Sequence, residues 1–113
     1  MKLMMNIEGI PGTTTRIVCT DVVQTLANAI VQINNKSPIS ILITAETYDV
    51  KFAFNTDPAP VAGTGLGHTL YDTYSLVLNN SKTIREFRFL NKTQQNAAII
   101  NVTPFYEIGT NLS

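Results

Sequence analysis

The chain has 113 residues, 44% of them apolar, and its eight basic side chains balance eight acidic ones. That length and apolar content suit a single domain with its own core, and zero net charge without a basic stripe excludes a nonspecific grip on nucleic-acid phosphates. Charged residues make up only 14% of the chain, against roughly 25% in typical globular proteins. The polar load therefore falls on Thr, Asn and Ser, which suit strand faces and turns, and a surface so low in charge is expected to be partly covered by partners or neighbouring subunits.

Residues 1–12 read as an N-terminal arm or edge strand, broken from the remainder by Gly9, Pro11 and Gly12. No run is long enough for a secretory signal or a membrane span, which predicts a soluble chain. Met4, Met5, Ile7 and Ile10 give the arm apolar surface that another chain can bury, making them candidate contacts. Residues 13–113 read as one β-domain.

Residues 16–20 read as a strand. Cys19 is the only cysteine, so no intrachain disulfide forms, and the only histidine, His68, is distant in sequence; Cys19 is therefore expected to be a small buried residue rather than a nucleophile. Val22, Leu26, Ala29 and Ile30 fall on one helical face, while the β-branched residues around them oppose a long helix, which predicts one short helical turn or bulge near residues 22–30. Residues 34–38 form a turn, and residues 39–45 resume the sheet.

Glu46 and Thr47 separate two strongly β runs. Neither supplies the positive φ of a tight hairpin, so a bent strand or bulge is expected. In the next run Val50, Phe52 and Phe54 share one face and Asp49, Lys51 and Ala53 the other, which assigns the first set to the core and the second to the surface. Residues 55–68 make one long excursion of prolines followed by glycines, a candidate binding loop in which Pro58, Pro60 and Val61 are candidate contacts. Its glycines lack the spacing and the following helix of a phosphate loop.

The remaining strands are expected within residues 70–78, 84–90 and 97–106, with turns at 79–82 and 91–96; Pro104 cannot donate to a ladder and is expected at an edge or leaving the sheet. Six to eight strands at this spacing predict an all-β fold: an antiparallel jelly-roll-like sandwich or small barrel. His68 with Asp57, Asp72 and Glu46 is too scattered to predict a metal, and His68 is expected to anchor the glycine-rich loop. Tyr48, Tyr71 and Tyr74 could stack on sugars if they form one exposed platform, with interface packing as the default. No catalytic constellation is assembled, so neither an enzyme nor a cofactor is predicted.

The series Ile43-Thr-Ala-Glu-Thr-Tyr-Asp-Val-Lys-Phe-Ala-Phe54, Asp57-Pro58, Gly67-His-Thr-Leu70, Ser75-Leu-Val-Leu78, Ile84-Arg-Glu-Phe-Arg-Phe89 and Ala98-Ile-Ile-Asn-Val-Thr103 resembles small tailed-bacteriophage virion proteins, the jelly-roll-like capsid cement or decoration proteins. The resemblance covers residues 41–106 as an order of elements with matching turn residues; Tyr74 departs from it, standing where a glycine is common. It implies a link between two core strands at residues 44–47 and a loop-anchoring role for His68. It further implies a homo-oligomer, trimer or dimer, present in the host cytoplasm before assembly and then bound to the major capsid protein on the outer capsid surface of the virion. The alternative is a carbohydrate- or receptor-binding module of a head fibre or tail.

Overall fold

The computed structural model describes Ile7, residues 9–27, Ile30 and residues 36–109. Met4 and Met5 lie outside the described residues. The elements are β1 (Ile10–Pro11), β2 (Thr15–Val18), β3 (Gln24–Thr25), β4 (Ser40–Glu46), β5 (Val50–Phe54), β6 (His68–Leu70), β7 (Ser75–Asn79), α1 (Ser81–Glu86), β8 (Phe87–Asn91) and β9 (Ile99–Tyr106).

They form two antiparallel sheets rather than one closed barrel. In the first, the order is β1-β9-β4-β7, with β2 also pairing β9; in the second it is β3-β8-β5-β6. The pairings nest: β5 pairs β6, β4 pairs β7, β3 pairs β8 and β2 pairs β9. The chain thus runs as one long antiparallel ribbon doubled back on itself, and the β4–β9 and β5–β8 ladders join its turns into sheets.

Alternation decides which side chains meet between the sheets. Ile41, Ile43, Ile100 and Val102 face inward from the first sheet and meet Val50, Phe52, Phe87 and Phe89 from the second, with Cys19, Leu26, Leu70, Leu78 and Ile84 closing the cluster. Phe52, Phe87 and Phe89 stand in file, with ring centroids 5.3 and 5.7 Å apart. Each such side chain contributes about 1.5–3 kcal/mol on burial, which lets a chain with no disulfide rest on packing.

Several elements depart from the pattern expected from sequence. Residues 84–86 belong to α1 rather than to a strand: Asn80 caps the helix, its Oδ1 accepting from Thr83 N at 2.9 Å, and Ile84 is the helix residue buried in the core. Around residues 22–30 the expected short helical turn is matched by one helical hydrogen bond from Ile30 N to Leu26 O, and the departure is the two-residue strand β3 that precedes it. Between β4 and β5 the chain crosses from one sheet to the other, and Thr47 does adopt a positive φ of 76°.

Pro104 is not at an edge. It lies in β9, a central strand, opposite Ile41 of β4. Its carbonyl accepts from Gly12 N on the other side, so its missing donor also points there, where the edge strand is interrupted. Ile10–Pro11 pairs with Phe105 and Tyr106, while Thr15–Val18 pairs with residues 99–102, so residues 12–14 oppose only Thr103 and Pro104. That bulge accommodates a proline no regular ladder would tolerate. Gly9 admits the chain to β1 at φ 109°, pressed so closely on the Tyr106 carbonyl that a Cβ would collide with it.

The outward face of β5 is the other correction. Lys51 and Ala53 are buried, as is Leu90 beside Lys51 on β8. The long loop, residues 55–67, folds back over this face. It is held near its start by the 2.9 Å pair of Arg88 Nη1 with Asp57 Oδ1 and at its middle by Val61 N donating to Lys92 O at 2.9 Å. The Lys51 ammonium reaches the loop, donating to Gly67 O at 3.4 Å.

Candidate functional site

With the outward side of β5 covered by the chain's own loop, the first sheet presents the broader open face. Its register fixes what it shows. One row across the strands is Val77, Leu42 and Thr103; the next is Ser75, Thr44, Asn101 and Arg16; another is Asn79, Ser40, Phe105 and Pro11; and Glu46, Ile99 and Val18 end the sheet. Leu42, Val77, Ile99 and Phe105 are half-buried and Val18 is exposed.

The polar side chains on this face are largely paired with one another across strands. Thr14 Oγ1 meets Thr103 Oγ1 at 2.6 Å, Thr44 Oγ1 meets Ser75 Oγ at 2.9 Å, and Ser40 Oγ donates to Asn79 Oδ1 at 3.2 Å. The charges it carries are Arg16 and Glu46, both off its centre. Covering a surface costs least where hydroxyls already have partners and no ion must be stripped of water.

The end of the sandwich away from α1 gathers four short loops, residues 19–23, 47–49, 71–74 and 92–98, and side-chain hydrogen bonds tie them together. Asp49 Oδ1 accepts from Asp72 N at 2.7 Å, and its other oxygen lies 3.9 Å from Lys92 Nζ. Asn91 is buried and spans three segments. Its Nδ2 donates to Asp21 Oδ1 at 3.0 Å, its Oδ1 accepts from Ala98 N at 3.0 Å, and its backbone N donates to Thr20 O at 2.9 Å. Asp21 also accepts from Gln95 N. These bonds, the Asn91 amide first and then the Gln95 N–H, hold the Asp21 carboxyl below its ordinary pKa.

Tyr48, Tyr71 and Tyr74 are all exposed at this end. Tyr71 and Tyr74 pack edge to face at 5.8 Å, and Lys92 Nζ stands 5.2 Å from the Tyr71 ring centre. Tyr48 lines a groove of about 240 Å³ with Thr47, Asp49, Asp72, Thr93 and Asn96. Of the loop and arm residues singled out from sequence, Pro58 is buried, Pro60, Ile7 and Ile10 are half-buried, and Val61 is exposed. His68 opens β6 opposite Phe52, its ring 5.4 Å from the Phe52 ring, so its contact is with a strand side chain.

Cys19 is buried, as expected, and burial pushes its thiol up to about 12. Asp57 pairs with Arg88 while Asp72 sits beside Asp49, and among the described residues no group of three or more His, Cys, Asp or Glu gathers to hold a metal ion. No helix among the described residues is long and apolar enough to cross a membrane. The open face of the first sheet was missed from sequence; its signal was the alternation of Leu42, Thr44 and Glu46 on β4 with Thr103 and Asn101 on β9, which names an outward face but not whether anything covers it.

No protein-family model, curated protein or solved structure matches this chain.

Proposed function

We propose that this protein is a capsid cement, or decoration, protein of a tailed bacteriophage, which binds the outer surface of the major capsid protein lattice as a homo-oligomer and stabilises the head. The observation that carries this reading is the open face of the first sheet: broad, nearly without charge, and with its hydroxyls already paired to one another. Such a face gives up little hydration when covered, and apolar area at its centre returns about 25 cal/mol per Å² buried. Anything that binds the assembled lattice and not its separated subunits raises the stability of the lattice by mass action, with no chemistry required.

The nested pairing of the strands supports the same reading. Two antiparallel sheets with strands paired in this nested order suit a jelly-roll reading, an architecture shared by viral capsid and lectin domains, and the resemblance over residues 41–106 points the same way. Placing a charge in the middle of the open face tests the proposal. Leu42→Glu and Val77→Glu change half-buried outward positions and should leave a folded domain, while attachment to purified capsids falls and the capsids lose the heat resistance that the native protein confers. Full attachment and undiminished heat resistance with both variants would rule this face out as the contact.

A further inference from the structure

The loops at the tyrosine-bearing end are tied to one another by side-chain hydrogen bonds of Asp21, Asp49 and Asn91. Among the described residues five non-glycine positions have positive φ, and three are here: Thr47 at 76°, Thr73 at 71° and Gln95 at 71°. For β-branched threonine that conformation is costly, and it persists only where the surroundings impose it. Two of the three are tied by hydrogen bonds at or beside them: Asp21 accepts from Gln95 N, Asp49 accepts from Asp72 N, and Thr73 N donates to Ala45 O at 2.8 Å. A site built this way has little ordering left to do when something binds.

We propose that the groove between residues 47–49, 72 and 93–96 binds a neutral saccharide, with one sugar ring resting on Tyr48 and its hydroxyls donating to Asp72 and accepting from Asn96. The groove, about 240 Å³, lies just under the ~300–1,000 Å³ of common small-molecule pockets, which suits one ring open to solvent and not a nucleotide. Neither the Asp72 carboxylate nor the Asn96 side-chain amide has a hydrogen-bond partner among the described residues, whereas Asp49 is occupied by Asp72 N and Lys92. Two carboxylates in the lining repel phosphates and acidic ligands. Vicinal hydroxyls, donors and acceptors at once, match the remaining lining of carboxylate, amide and threonine oxygens.

Tyr48 is the platform of the three tyrosines. Tyr71 is engaged by Tyr74 and Lys92, while the Tyr48 ring has no aromatic or cationic neighbour among the described residues and is 44% exposed. An aromatic face with a polar tip suits the C–H face of a sugar framed by hydroxyls.

The site is independent of the open sheet face, so the two readings fail separately. The full chain is titrated with glucose, galactose, N-acetylglucosamine and their oligomers, read by saturation-transfer NMR and calorimetry. Binding of at least one is expected, weakened about tenfold or more by Tyr48→Ala and by Asp72→Asn and unchanged by Lys82→Ala on the distant helix. Should Tyr48→Ala unfold, Asp72→Asn and Asn96→Ala carry the same readout. Absence of binding by every saccharide overturns the proposal, as does binding that these variants leave unchanged. Loss of capsid attachment by the same variants, with no saccharide bound, would also overturn it and give this end to a protein contact.

Discussion

Replacing Asn91 with alanine removes a side chain that holds three segments at one end of the sandwich. The Ala98 N–H, which now donates to Asn91 Oδ1 at 3.0 Å in a fully buried setting, would lose its acceptor; an orphaned buried donor costs about 1–3 kcal/mol. Asp21 would keep Gln95 N but lose the Asn91 amide. Against a total stability of about 5–15 kcal/mol for a domain of this kind, the Ala98 term alone is a large fraction. Urea unfolding should therefore show a lower midpoint with an unchanged slope. Asn91→Asp separates the two halves of the role, because it keeps an acceptor for Ala98 while setting a second carboxylate against Asp21. Its deficit should be largest near neutral pH and shrink as the solution is acidified. A loss for Asn91→Ala within about 0.5 kcal/mol, the range of an ordinary surface change, would refute the argument.

Asp21 itself gives a pH dependence. Its folded pKa is depressed, so its contribution is present above the unfolded value near 3.9 and is lost as pH falls through the lower folded value; thermal melts of Asp21→Asn should show a flatter acid limb than wild type. Cys19 has the opposite sign. Its folded pKa is raised to about 12, so its contribution is complete below the ordinary thiol value and is lost as pH climbs toward 12. A thiol reagent such as dithionitrobenzoate should label Cys19 only as fast as the protein unfolds, and rapid labelling of the native chain would contradict its burial. Gly67→Ala should destabilise by more than about 1 kcal/mol, since Gly67 has φ 122° and an added Cβ would lie 2.7 Å from Phe52 O; chemical denaturation measures it.

The alternation of Val50, Phe52 and Phe54 gave the inner face of β5 correctly, because packing between two sheets follows period two directly. It failed for Lys51 and Ala53, whose burial depends on a loop that folds back from residues 55–67, and no local period carries that information. In α1 the signal was present but was read as part of the strand that follows: Ile84 and Phe87 are three apart and Phe87 and Phe89 two apart, marking the switch from helical to strand spacing at the boundary between α1 and β8. Pro104 misled for a different reason. The rule that proline avoids central strands holds for regular ladders, and the bulge that suspends it lies some ninety residues earlier in the chain, at residues 12–14. The tyrosines could be noted as a set, but their gathering with Asp72 and Asn96 depends on loops that only the nested pairing brings to one end.

The low charge of the chain acquires a location from the fold. Lys2 and Glu8 lie outside the described residues, and most of the remaining charges stand on loops, on α1 or on the second sheet: Lys36 with Glu107, Lys82 with Glu86, Arg88 with Asp57 and Lys92 with Asp49. The open face of the first sheet carries only Arg16 and Glu46, and fills its centre with Thr44, Ser75, Asn101 and Thr103 between Leu42 and Val77. Exposed sheet faces ordinarily tolerate lysine and glutamate at little cost, and gain solubility from them. A face that forgoes those charges while pairing its own hydroxyls is poor at keeping copies apart in solution and well suited to being covered. The composition therefore agrees with the proposed burial of this face against the capsid lattice, on the side of the sandwich away from the loop that covers Lys51 and Ala53.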